Sequence, residues 1–183
     1  MRWEALFADL EGQLAADERR ELDDEVAERT RRERALVPLE ARLAASVGSA
    51  VRLGLVDGRR LEGVLVDLGQ GWVLLRAART EREHVVHLAA VATVSGLALH
   101  AGPATTARRF GLGYALRALA RDRATVAVSL LGGPAPVVGT IDAVGADHID
   151  VAEHDEDLPR RRGNVTALTT VPFSALVTVE ARR

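Results

Sequence analysis

The stretch Val86-His87-Leu88-Ala89-Ala90-Val91-Ala92-Thr93-Val94 lies on Val171-Pro172-Phe173-Ser174-Ala175-Leu176-Val177-Thr178-Val179 without a gap, and the apolar positions coincide. Upstream, Gly63-x5-Gly69 matches Gly139-x5-Gly145, and Trp72-Val73-Leu74-Leu75 falls on His148-Ile149-Asp150-Val151. Self-similarity at this level marks a structural unit written twice. The two copies differ chiefly in one connection, Arg76 to His84 in the first and Ala152 to Val165 in the second, and length variation belongs in loops.

Within each copy the apolar residues recur with a period of two. Val51, Leu53 and Leu55 alternate, Asp57-Gly58 turns the chain, and Leu61, Gly63, Val64 and Leu65 begin a second strand. Gly69 and Gly71 bracket a further turn before a third strand from Trp72, and Val85 to Val94 completes the unit. A second strand-rich stretch starts at Val126, preceded by a short helix on Phe110, Tyr114, Leu116 and Leu119. Short strands bent at glycines suit a small SH3-like barrel, because closing the sheet protects its edges.

The opening residues follow a different period. Trp3, Leu6, Phe7, Leu10 and Leu14 recur at steps of three and four, which predicts an amphipathic helix whose apolar stripe packs on a barrel or a partner. Farther on the stripe thins to Leu22 and Val26 among acidic residues and arginines, so the middle of the arm is expected to be solvated. Pro38 disfavours helical geometry at Val37 and predicts a break, followed by a short helix ending near Ser46.

The fold expected from the sequence is α+β: an N-terminal helical arm at 1–46, a first small barrel at 47–97, a linker at 98–108, and a helix plus a second barrel at 109–183. The composition agrees with a globular chain, since 48% of the 183 residues are hydrophobic, 27% are charged and the formal net charge is -2. A near-neutral chain lacks the broad positive field that draws nonspecific binders to phosphate, so nucleic-acid contact would have to be local. All the basic residues are Arg, a bias of GC-rich, actinobacterial-type coding.

Cysteine is absent, which removes disulfides, thiolate metal sites and Cys nucleophiles. The N-terminus turns acidic at Glu4, unlike a secretory signal, and no apolar run approaches the roughly 18 residues of a membrane span. The cytoplasm is the expected compartment.

The framework resembles the Sm-like (LSm) family. Leu53-x-Leu55-x-Asp57-Gly58-Arg59-x3-Gly63-x-Leu65 has the spacing of that family's first motif. Its second motif falls on Val86-His87-Leu88, Val91 and Val94, and again on Val171-Pro172-Phe173, Leu176 and Val179. The resemblance implies tandem Sm-like barrels. The family's RNA-contacting Asp, Asn and Arg-Gly fall here on Gly69 and Gly145, Val73 and Ile149, and His87-Leu88 and Pro172-Phe173, so its mode of reading splayed bases is not implied. The chain is also similar to uncharacterised actinobacterial proteins with the same opening helix.

Few residues suggest chemistry. No Walker loop, dinucleotide fingerprint or nucleophile elbow is present, so no enzyme activity and no cofactor are expected. His84 and His87 are spaced to point to opposite faces of a strand, which disfavours a shared metal ion. His148, Asp150, His154 and Asp155 to Asp157 read as a solvated acidic loop balanced by Arg160-Arg161-Arg162. That triplet, with Arg59-Arg60 at the first hairpin, is the candidate for phosphate contact.

Trp72 and Phe173 are expected to anchor the core. The stripe Trp3, Leu6, Phe7, Leu10 and Leu14 is the candidate protein interface. The functional expectation is a non-enzymatic scaffold that binds a protein partner or itself, with RNA or DNA binding through the arginine loops as the alternative.

Overall fold

The structure, a computed structural model, describes residues 2–102, 108–133 and 135–182. The chain divides into two compact units, Met1–Pro38 and Leu39–Arg183.

The first unit is helix α1 (Arg2–Ala35). Its polar length is stitched by ion pairs one turn apart, Arg29 with Glu33 and Arg32 with Glu28, while Leu22 and Val26 are exposed. The helix ends three residues before Pro38, as the proline requires. Of the apolar stripe, Trp3 and Phe7 are exposed; the side chains of Leu6, Leu10 and Leu14 lie outside the described residues.

The second unit begins with α2 (Leu39–Ala45), which buries Leu43 and Ala44. Five strands follow: β1 (Ala50–Leu55), β2 (Arg60–Gln70), β3 (Trp72–Ala77), β4 (Glu83–His87) and β5 (Val91–Ser95). After the expected linker, of which 103–107 lie outside the described residues, come β6 (Arg108–Gly111) and α3 (Leu112–Arg121). The second set is β7 (Thr125–Leu130), β8 (Val137–Val144), β9 (His148–Glu153), β10 (Ala167–Pro172) and β11 (Leu176–Arg182).

These strands overturn the expectation of two separate small barrels. They form one open, mostly antiparallel sheet of eleven strands, in the order β10-β9-β8-β7-β11-β4-β3-β2-β1-β5, with β6 lying parallel to β2 off that path. The joint is the pairing of β4 with β11: Thr178 is opposite Val86, Val179 opposite Val85 and Glu180 opposite His84. The physical reason is that the central strands are apolar on both faces. On β3, Val73 and Leu75 enter one core while Trp72 enters the other; on β11, Val177 enters the first core and Leu176 and Val179 the second. Strands apolar on both faces need cover on each, and the shared sheet gives β3 and β11 a core on either side.

The duplication survives as a repeat of strand order. Each half runs fifth-first-second-third-fourth, as β5-β1-β2-β3-β4 and as β11-β7-β8-β9-β10. The details repeat too. A short 3-10 turn precedes the fifth strand at Leu88–Ala90 and at Phe173–Ala175. The register slips between Leu65 and Asp67 on β2 and between Ile141 and Ala143 on β8, so both long strands bend at the same place. At Gly63 a Cβ would run into the Arg76 carbonyl, and at Gly139 into the Ala152 carbonyl, which fixes glycine at both bends.

Candidate functional site

The repeat leaves two strands at the ends of the described sheet, β10 and β5. They are the counterparts of β4 and β11, which pair with each other inside the chain. The ungapped alignment places Thr169, Thr170 and Val171 where the first half has His84, Val85 and Val86, and places Thr93, Val94 and Ser95 where the second half has Thr178, Val179 and Glu180. β10 is largely exposed, with Leu168 at 72%, and β5 is exposed at Ala92, Thr93 and Ser95. Among the described residues both strands are paired along one side only, and such an edge is the usual template for strand addition.

The internal joint shows what such a pairing uses. Three residue pairs make the ladder, and the flanking side chains close it. Arg82, from the turn before β4, donates to Glu180 of β11 at 2.8 Å, while Arg182 of β11 reaches Glu156 at 3.0 Å and Glu180 at 3.3 Å. His84 is buried at this joint, and burial holds its imidazole below the ordinary value of 6.5. Beneath the ladder, Trp72 and Val85 of the first half pack in one core with Leu112 and Leu116 of α3. The Trp72 indole N–H is satisfied by the Phe110 carbonyl at 2.9 Å.

The arginines singled out in the sequence fall into two separate groups. Arg59 is held by its own turn, bonding Asp57 through backbone and side chain, and Arg60 opens β2 with its side chain exposed. Arg160 lies in the loop before β10 and is committed to Asp142 on β8, which also takes Arg123 at 3.3 Å. The Arg160 guanidinium beside it holds the Asp142 carboxyl below the usual carboxylate value. Arg161 and Arg162 extend from the same loop and are exposed.

His154 corrects the reading of its neighbourhood as a wholly solvated loop. It is buried, and its ring bonds the Asp155 carbonyl through Nδ1 at 2.8 Å and the Thr140 hydroxyl through Nε2 at 2.9 Å. Because a carbonyl only accepts, Nδ1 carries the proton and the Thr140 hydroxyl donates to Nε2 in the neutral ring. The rest of the loop, from Asp155 to Gly163, is exposed. Among the described residues no cluster of three or more His, Asp or Glu is arranged to hold a metal ion. Trp72 is buried and Phe173 half-buried against the second core.

What the sequence reading missed is the joint itself: His84, Glu180 and the Arg82, Glu156, Arg182 network. The available signal was the loss of alternation in Trp72-Val73-Leu74-Leu75 and Leu176-Val177-Thr178-Val179, a mark of strands covered on both faces.

No helix among the described residues is long and apolar enough to cross a membrane. No protein-family model matches the chain, and neither a curated protein nor a solved structure matches it.

Proposed function

We propose that this chain is a non-enzymatic, cytoplasmic scaffold that assembles through the edges of its sheet, with a further copy of itself as the favoured protein partner. The observation that carries this reading is the β4–β11 joint, since the chain already binds one half to the other by this pairing and leaves the counterpart strands, β10 and β5, at the ends. A head-to-tail contact between unlike edges repeats from copy to copy, so it builds a ring or a filament rather than a simple pair.

The outer contact is weaker than the internal one. Trp72, Leu74 and Val85, which pack beneath or beside the joint, have His148, Asp150 and Thr170 as counterparts at the outer end. Polar side chains there keep the free edge soluble, and Thr170 and His148 bond Asp150 and Asp147 respectively. Assembly is therefore reversible and depends on concentration.

Nucleic-acid binding has less support. Arg59 and Arg160 spend their charge on Asp57 and Asp142, which leaves Arg60, Arg161 and Arg162 in two separate places. A phosphate-binding role predicts a salt-dependent gel shift lost when Arg161 and Arg162 become alanine.

Sedimentation over a range of concentrations tests the assembly reading. The expected result is a mass that rises above the 19.6 kDa of one chain as concentration increases, and that falls back in Thr170→Lys, which places a charge on the edge. A strict monomer at the highest soluble concentration overturns the proposal.

A further inference from the structure

Behind the joint lies a cavity of about 580 Å³, a volume within the range of small-molecule sites. Its floor is sheet: Trp72 and Leu74 of β3 and Val85 of β4. Its wall is α3, where Ala115 and Ala118 are too small to fill the space and Leu119 closes one side. The opening is made by groups that reach solvent, Tyr114 and Asp122.

Two features give this space a chemical preference. The first is aromatic. The chain has only 3% aromatic residues, yet Tyr114 lines the cavity and stacks on Phe110 with ring centres 4.2 Å apart, and Trp72 forms the floor while bonding the Phe110 carbonyl. Half of Tyr114 and Phe110 stays exposed, so the stacked pair forms a ledge at the opening rather than a sealed core.

The second feature is charge. Asp67, Glu83 and Asp122 supply three carboxylates to the lining against one guanidinium, that of Arg182. Arg182 is drawn to Glu156 and Glu180, and Glu83 is paired with Arg76 at 3.1 Å. The Asp122 carboxylate makes no hydrogen bond or ion pair among the described residues.

From the apolar floor, the aromatic ledge and the acidic opening together, we infer that this cavity binds a small organic cation with an apolar body, of the arylalkylamine class. The ring or alkyl body lies on Trp72 and Leu74 toward Tyr114, at one end of α3, and the ammonium lies by Asp122 at the other end of that helix. The aromatic faces take the ring, and the carboxylate attracts the ammonium. An anion of the same shape would meet three carboxylates. This site is independent of strand-edge assembly, since none of its lining residues lies on β5 or β10.

Titration with 2-phenylethylamine and with its anionic counterpart 3-phenylpropionate tests the inference. In a Trp3→Phe background the fluorescence of Trp72 reports the cavity alone. The expected result is saturable binding of the amine, at least about tenfold tighter than that of the acid. Asp122→Asn weakens the amine several-fold without changing the far-ultraviolet circular dichroism, and Ala118→Leu, which fills the space, abolishes binding. Absence of saturable binding, equal binding of amine and acid, or amine binding unaffected by Asp122→Asn each overturns the inference, whether or not Ala118→Leu folds.

Discussion

His84 of β4 lies directly opposite Glu180 of β11, so the ladder that joins the two halves places a buried imidazole beside a carboxylate. Burial lowers the histidine's proton affinity most, Glu180 pulls the other way, and Arg59, Arg182 and Arg82 reinforce the burial. The unfolded chain therefore takes up a proton at a pH where the folded chain does not. This contribution to stability is complete above about 6.5, the unfolded value, and falls as pH drops below it until folded His84 itself protonates. The urea midpoint should fall between pH 7.5 and pH 5.5 by more in the natural chain than in His84→Gln. Equal falls in the two proteins would contradict this placement of His84.

Gly63 and Gly139 should respond alike to alanine. In each case the new methyl meets a backbone carbonyl of the neighbouring strand, which cannot move without breaking the sheet. A loss of about 3 kcal/mol or more is expected at either position by chemical denaturation. Gly12→Ala on α1, where nothing lies within 4 Å, is the control and should gain up to about 1 kcal/mol of helix stability. A tolerated alanine at one bend but not the other would break the equivalence of the halves.

Thr140→Val should cost about 1–3 kcal/mol, because it removes the hydroxyl that satisfies buried His154 and leaves Nε2 without a partner. Thr140→Ser, which keeps the hydroxyl, should cost less. Thermal unfolding of the two variants separates the hydrogen bond from the packing; a Thr140→Val loss no larger than that of Thr140→Ser would contradict the hydroxyl's leading part.

Arg160→Ala should let the Asp142 carboxyl rise toward its ordinary value, detectable by carbon-13 titration of its side chain. The stability change should stay within about 1 kcal/mol, since about a third of the Arg160 side chain is exposed and the pair is screened by solvent. An unmoved titration would show that Arg123 alone sets the Asp142 environment.

The repeat was legible because framework positions are dictated by sterics that side-chain type records directly: the matched glycines, the matched apolar runs, and the break before α2 at Pro38. The joint was not legible, because a strand edge is backbone and its partner is decided by tertiary packing. The sequence marks Val85 to Val94 only as the stretch that completes the unit, whereas the 3-10 turn at Leu88–Ala90 divides it so that β4 and β5 end on opposite sides of their half. β6 was hidden for a related reason: its pairing register with β2 takes in only Gly69 and Gln70, too little to impose a period on its sequence. His154 was misread because the residues beside it are acidic, and nothing in linear sequence shows that Thr140 faces it.

Since the chain contains no cysteine, a pair of introduced thiols reports on the proposed outer contact without interference. The internal pair of Thr178 with Val86 predicts that Thr93 of one copy faces Val171 of the next, within the Cα separation of about 4.4–6.8 Å that a disulfide spans. Mild oxidation of Thr93→Cys/Val171→Cys should give a ladder of covalent multimers on a non-reducing gel, with Thr93→Cys/Arg161→Cys as the control that does not. A double variant that stays monomeric, or that forms no more ladder than the control, would contradict assembly through these edges.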